Sequence, residues 1–168
     1  MNKPKLKGTT TYDEMDSPVG KLTIITSSKG LHAILWDNDD QNIVRNLHKS
    51  PDEKTIVQTK TQLLEYFHGK RKTFDLPLVI TGTEFQMQAW NQLLNIPYAT
   101  TISYGQQAEN MGDKNKARAV GMANGQNPIS IVIPCHRVIG KNGHLVGFGG
   151  GLEKKAKLLQ LEQANKNL

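Results

Sequence analysis

The most constraining stretch of this chain is Asn127-Pro128-Ile129-Ser130-Ile131-Val132-Ile133-Pro134-Cys135-His136-Arg137-Val138. The near-continuous β-branched run over residues 129–133 predicts a buried extended segment, because such side chains are stiff and pack well on a pleated surface. Pro134 follows. It has no amide hydrogen to donate and holds φ at about −65°, so it fixes a turn where the apolar run ends. Cys135, the single cysteine of the chain, comes next. A lone cysteine is most often a small core residue. Here His136 and Arg137 follow at once, and a cation or imidazole beside a thiol favours the thiolate. Packing alone does not call for charge at the end of an apolar strand, so Cys135 is a candidate nucleophile.

With 168 residues the chain has the length of one domain, or of two small domains sharing a core. One cysteine excludes an internal disulfide framework and any zinc site built from several thiolates, so neither a metal nor another cofactor is expected. No apolar run reaches the ~18 residues of a membrane span, and the start Met1-Asn2-Lys3-Pro4-Lys5-Leu6-Lys7 lacks an apolar signal core. The expectation is a cytoplasmic protein whose thiol stays reduced. The net charge is +6, and residues 82–168 carry nine basic against five acidic side chains, while residues 1–81 carry twelve against ten. That asymmetry suits a surface meeting a polyanion. By itself it also suits a mildly basic protein that binds nothing.

Along the chain, a Lys-rich tail over residues 1–8 precedes strands predicted at 9–13, 21–28 and 31–36. Asp16-Ser17-Pro18-Val19-Gly20 and Ser27-Ser28-Lys29-Gly30 are the turns between them. In the second strand Leu22, Ile24 and Thr26 share a face and alternate with Thr23 and Ile25. Helices are predicted over 41–48 and 53–68; in the latter Ile56, Lys60, Leu63/Leu64 and Phe67 form a stripe that Gly69 stops. His32, His48 and His68 have no metal-ligand spacing and read as structural or surface residues. Residues 75–82 read as a linker, which divides the chain into 1–80 and 81–168. Beyond it Thr83 and Glu84 open a helix with an apolar face of Phe85, Ala89, Trp90, Leu93 and Leu94.

Ser103 can cap a short helix over 104–111, Gly112-Asp113-Lys114-Asn115 turns the chain, and a second short helix covers 116–124. This is a helix-turn-helix outline. The second helix, Ala117-Arg118-Ala119-Val120-Gly121-Met122-Ala123, sets one long cation among small side chains. Small residues let the backbone approach a surface while Arg118 projects, which fits the minor groove better than base reading in the major groove.

Pro134-Cys135-His136-Arg137-Val138 resembles the active-site signature of the O6-alkylguanine-DNA alkyltransferases, the methylated-DNA–protein-cysteine methyltransferases. Ser103-Tyr104-Gly105, Ala117-Arg118-Ala119-Val120-Gly121, Asn127-Pro128 and Gly150-Gly151-Leu152 occur in the order expected of that family, and the resemblance covers about residues 83–162. It implies an α+β protein: a small N-terminal antiparallel sheet with helices, ribonuclease H-like in outline, then a mainly helical domain with the helix-turn-helix. It implies irreversible transfer of an alkyl group from O6 of guanine, and from O4 of thymine, in double-stranded DNA to Cys135, after the nucleotide is flipped into a pocket. A thioether does not hydrolyse readily, so each molecule acts once. The implied base is His136, linked to the thiol through a water and oriented by Glu162. Tyr104 is implied near the base's ring nitrogen and the rotated phosphate, and Asn127 at the hinge between recognition helix and reactive segment. Arg118 is the implied finger in the vacated stack, with Ala117, Ala119 and Gly121 against the groove and Lys155 near the pocket or the DNA. Val138, Phe148 and Gly149 are implied around the base. No obligate protein partner is implied, so the expected state is a monomer.

Phe148-Gly149 departs from the aromatic and small hydroxyl residue that often precede Gly150-Gly151 in the family, and the loosened loop would admit larger alkyl groups. The Gly147–Gly151 run is no phosphate cradle, since neither a preceding strand nor a following Lys-Ser/Thr accompanies it. Two other readings remain at this point. One is a non-catalytic DNA-binding protein or damage sensor, against which the presence of Cys135 counts. The other is a cysteine hydrolase, whose histidine more usually comes from far along the chain and which needs an oxyanion hole.

Overall fold

The structure, a computed structural model, describes residue 6 and residues 9–168. Apart from Leu6, the expected Lys-rich tail lies outside the described residues. Strands β1 (Thr11–Met15), β2 (Leu22–Ser27) and β3 (Gly30–Leu35) form an antiparallel meander, with Ser27 paired to Gly30 across the two-residue turn. Gly30 has φ +144°, and any Cβ there would run into the Pro77 carbonyl, so only glycine serves. The helix expected over 41–48 is instead one 3-10 turn, Gln41–Val44, followed by a short strand β4 (His48–Lys49). β4 pairs parallel to β1, giving the sheet order β3-β2-β1-β4, so the sheet is mixed and only three of its strands are antiparallel. The reason is local: the Asp40 carboxylate caps a single turn at Asn42 N (3.0 Å), and the chain must then extend for Ser50 N to reach Tyr12 O (2.9 Å).

Every residue of β2 is buried, so the alternation read in the sequence does not divide a wet face from a dry one. Leu22 and Ile24 enter the main core, while Ile25 joins Ala33, Leu35 and Val44 in a second small cluster on the other face. Thr26, also buried, donates to Glu53 Oε2 (2.8 Å), and that same oxygen accepts from Ile56 N to cap helix α1 (Lys54–Phe67). α1 buries Ile56, Leu63, Tyr66 and Phe67, whereas Leu64 is exposed and Lys60 reaches sideways to Asp13. Of the three noted histidines, His32 is buried beside Ser27 Oγ (2.7 Å) and His48 and His68 are exposed.

Residues 75–82 are less a free linker than a strap along β3: Leu31 N donates to Pro77 O (2.8 Å) and Val79 N to Leu31 O (2.8 Å). Helix α2 (Glu84–Leu94) then starts with a reciprocal capping box between Thr83 and Gln86. Strand β5 (Ile102–Ser103) leads into α3 (Tyr104–Asn110), capped by Ser103, and α4 (Ala117–Gly125) follows after a 3-10 turn at Lys114–Lys116. A buried amide pair locks this arrangement. Gln107 Nε2 donates to Asn124 Oδ1 (3.1 Å) and to Ala89 O (3.1 Å), and Asn124 Nδ2 donates back to Gln107 Oε1 (2.7 Å). Trp90 Nε1 adds a bond to Ala123 O (2.8 Å), so α2, α3 and α4 form one unit.

The run over 129–133 is buried as expected but is not an extended strand. Ile131 has φ +75°, a conformation that costs a β-branched residue strain, and Val132 N turns back to Ser130 O (2.9 Å). Asn127 holds this loop closed from inside, accepting from Ile129 N (3.0 Å) and donating to Ile133 O (2.8 Å). Its first residues lie against the sheet edge, where Ile34 N donates to Pro128 O (3.0 Å). Strand β6 (Val138–Ile139) pairs parallel with β5, and α5 (Leu152–Asn165) closes the fold. The main core draws on both halves of the chain, from Ile24 and Leu63 to Ile129, Ile133 and Leu158.

Asn124→Ala strands Gln107 Oε1 in the core and should cost about 2 kcal/mol in urea unfolding. Combined with Gln107→Ala it should cost clearly less than the two single losses added together, because both remove the same pair.

Candidate active site

Cys135 opens a 3-10 turn, Cys135–Arg137, immediately after Pro134, and the residue is only 8% exposed. The turn brings both His136 and Arg137 to Glu162 on α5. His136 Nε2 lies 2.6 Å from Glu162 Oε2; Arg137 donates through Nε to Oε1 (2.9 Å) and through Nη2 to Oε2 (3.1 Å). Tyr66 of α1 donates its hydroxyl to Oε2 (2.7 Å), and Ala99 N donates to Oε1 (3.0 Å). Glu162 is therefore a fully buried carboxylate with five donors. Burial alone would raise its pKa, but the hydrogen bonds and charge of His136 and Arg137 hold it at about 2.

An ionised carboxylate can only accept, so the hydrogen on His136 sits on Nε2 and the lone pair on Nδ1. Burial pushes the imidazole pKa below its usual 6.5, against the pull of Glu162, which leaves the ring neutral at pH 7. Nδ1 is buried and has no hydrogen-bond partner among the described residues. The ring is thus a base with its accepting atom unspent.

The sulfur is not pre-ionised in the way the neighbouring cations suggested. Burial raises the Cys135 pKa; the Asn127 side chain and the Lys155 ammonium oppose that only in part. The Arg137 guanidinium is committed to Glu162 and to Ile96 O (2.7 Å). The thiol needs a base at the moment of reaction.

Two hollows meet at this centre. A small cavity of about 120 Å³ touches Cys135, with Trp36, Asn127, Ser130, Phe148 and Gly149 in its walls. A wider groove of about 550 Å³ runs outside it, between α4 and residues 146–149. Phe148, Gly149 and Gly125 line both, so this loop is the partition between the outer groove and the thiol. The loop is clasped from below. Tyr104 Oη donates to Val146 O (3.0 Å), and Lys155 Nζ donates to the same carbonyl (3.0 Å) while facing the rings of Tyr104 and Phe148. Burial, with the negative charge of Cys135 in its thiolate form, pushes the Tyr104 pKa to about 12, so its hydroxyl stays a donor.

Residues 84–164 match the family model described as 6-O-methylguanine DNA methyltransferase, DNA binding domain, and residues 10–80 match that of the same protein's ribonuclease-like domain. A methylated-DNA–protein-cysteine methyltransferase of Mycobacterium bovis is 43% identical over 153 residues, covering 91% of this chain and 92% of its own length. The chain belongs to the methylated-DNA–protein-cysteine methyltransferase family. A relative of that name from Methanosarcina acetivorans is 41% identical over 90% of this chain and 97% of its own. The crystal structure of Mycobacterium tuberculosis O6-methylguanine methyltransferase superposes with a TM-score of 0.87 at 40% identity, covering 94% of each chain. That of Mycobacterium tuberculosis OGT in complex with DNA gives 0.86 at 41% identity, covering 92% of this chain and 94% of that one.

For this methyltransferase the structure gathers Cys135, His136, Glu162, Asn127, Tyr104, Phe148, Gly149 and Lys155 around one centre. Arg118, Ala117 and Gly121 lie on the outer groove, and Ala119 is exposed on the same helix. Lys155 is fully buried under the loop and faces the pocket, one of its two expected places. Val138 is buried in β6 and lines neither hollow, and its amide is already given to Cys135 O. Among the described residues no group of three or more His, Cys, Asp or Glu side chains could hold a metal, and no helix is long and apolar enough to cross a membrane. Sequence reasoning missed Tyr66, which no spacing links to Glu162 across 96 positions. It also missed Trp36, which a strand of the N-terminal half delivers to the cavity wall.

Glu162→Gln leaves Arg137 buried without its counter-charge and should lower stability by roughly 3–5 kcal/mol at pH 7. The carboxyl titrates at about 2 in the folded state against 4.5 ordinarily, so its contribution is present above pH 4.5 and fades as the pH falls toward 2. Urea midpoints of the two proteins should therefore draw together as the pH falls from 4.5 to about 2.

Proposed function

We propose that this protein repairs DNA by direct reversal, taking the alkyl group from O6 of guanine in a duplex onto Sγ of Cys135. The observation that carries the reading is the buried pair of a thiol and a neutral His136 whose Nδ1 is unspent and whose Nε2–H is held by Glu162. The same attack serves O4-alkylthymine, where the alkyl carbon is again bonded to an enol-type oxygen.

The steps follow from the geometry. Residues 81–168 dock on the minor groove through α4, whose small side chains permit close approach, while residues 1–80 supply the sheet edge that backs the reactive segment. The target carbon lies inside the duplex, so the nucleotide leaves the stack for the pocket, and Arg118 fills the gap. As Sγ attacks, its proton passes to His136 Nδ1, through a bridging water as in the family relay; Glu162 stabilises the imidazolium that forms. The Sγ–C bond forms as the C–O6 bond breaks, and the electron pair stays with guanine. Tyr104, protonated at neutral pH, donates a hydrogen bond to the leaving purine once the loop at Val146 yields. The thioether on Cys135 persists, so the protein is consumed. It acts as a monomer, without cofactor.

Alternative readings fit the site less well. A damage sensor has no use for a poised thiol beside a base, and nothing at Cys135 resembles an oxyanion hole of converging amides: Cys135 N itself is bonded to Ile133 O (2.8 Å).

Mixing the protein with a duplex containing O6-methylguanine should add one methyl to the peptide carrying Cys135, with no turnover past one equivalent, by mass spectrometry. Cys135→Ala should keep duplex affinity and lose transfer; repeated turnover, or methyl on another residue, would refute the reading. Alkyl size is set in part by Gly149, where a Cβ would meet only Gly125 O, at 3.9 Å. Gly149→Ser should thus fold normally and slow transfer from benzylguanine more than from methylguanine; unchanged relative rates would remove this role.

A further inference from the structure

Helix α4 presents an almost bare face. Ala117, Ala119, Gly121 and Gly125 extend no further than a Cβ, and only two side chains stand out from it, Arg118 and Met122. Met122 is 69% exposed, more than any other large hydrophobic residue among the described residues except the terminal Leu168 at 80%. Four positions apart, the two lie one turn from each other on the same side, with roughly 5–6 Å between their Cβ atoms. That is less than two base-pair steps of about 3.4 Å.

Met122 also sits on the lip of the outer groove, opposite Val146, Gly147 and Phe148. It makes no part of the core, since α4 packs inward through Val120, Ala123 and Asn124. Arg118 stands on the wall of this groove, and two further exposed cations, Lys114 and Lys141, line an adjoining hollow that shares Tyr104 and Ala117 with it. Such cations suit a phosphate backbone. An apolar centre one turn from Arg118 suits a base pair that has lost its stacking partner, and Met is among the side chains that proteins push between base steps from the minor groove. Its three rotatable bonds let it follow the shape of a disturbed stack.

We propose that Met122 is a positioning residue for the transfer reaction, a second blade that packs on the base pair flanking the extruded nucleotide and keeps the gap from closing. The proposal rests on the reading that α4 docks in the minor groove with Arg118 in the vacated stack. Arg118 replaces the missing base, and Met122 covers the adjoining step that would otherwise be left open to water.

The test compares Met122→Ala, Met122→Leu and Arg118→Ala in three measurements. These are single-turnover transfer from an O6-methylguanine duplex, the fluorescence rise of 2-aminopurine placed beside the lesion, and alkylation by free O6-benzylguanine. Losing burial of a Met side chain should slow duplex transfer by Met122→Ala about tenfold and blunt the fluorescence rise. Met122→Leu should restore both, and the free base should react with the two Met122 variants at the unaltered rate. Wild-type duplex kinetics for Met122→Ala would overturn the proposal, as would an equal slowing with the free base, which would place Met122 in support of the pocket. If Arg118→Ala also behaves as wild type on the duplex, the docking reading itself fails.

Discussion

A single buried negative charge organises this protein. The Glu162 carboxylate receives donors from α1 (Tyr66), from the loop after α2 (Ala99) and from the reactive turn (His136 and Arg137), and it is carried on α5. A carboxylate removed from water is tolerated only with such a complement, so the four segments are obliged to meet. Their meeting sets the tautomer of His136 and commits the Arg137 guanidinium. The charge is structural and chemical at once, because the bonds that make it bearable are those that orient the base.

The reactive segment shows the same economy under strain. Ile131 is held at positive φ by a loop that the Asn127 amide closes at both ends, and the segment's first residues are hydrogen-bonded to the edge strand β3. An extended run would carry Cys135 past the pocket; the turn brings it back beneath α4. Since burial raises the thiol's pKa and lowers that of the imidazole, the reactive turn carries a protonated sulfur and a neutral histidine. This arrangement protects the one cysteine from solution oxidants, which attack thiolates.

Residues 146–149 stand between the outer groove and the cavity at Cys135. Tyr104 and Lys155 both donate to Val146 O, so the loop that separates groove from thiol is fastened by the residues that would face a bound base.

Much of this was legible in the residues. The Pro-Cys-His-Arg stretch, the small-residue helix around Arg118 and the caps at Thr83 and Ser103 are local patterns, and local sterics and hydrogen bonding decide them wherever the chain lies. The same local reasoning misjudged residues 41–48, where pairing with β1 outweighed helix formation, and residues 129–133, where closure by Asn127 outweighed the β preference of isoleucine and valine. It also counted Arg137 toward the sulfur, because adjacency in the chain does not show which partners a guanidinium takes. Identity, family and chemistry were thus determined by the sequence itself. Only the tertiary structure decided which groups face the thiol, that Lys155 is buried, and that Tyr66 reaches Glu162. Those outcomes depend on burial and on donors brought together from distant segments, and a charge's energy is set by its surroundings in space.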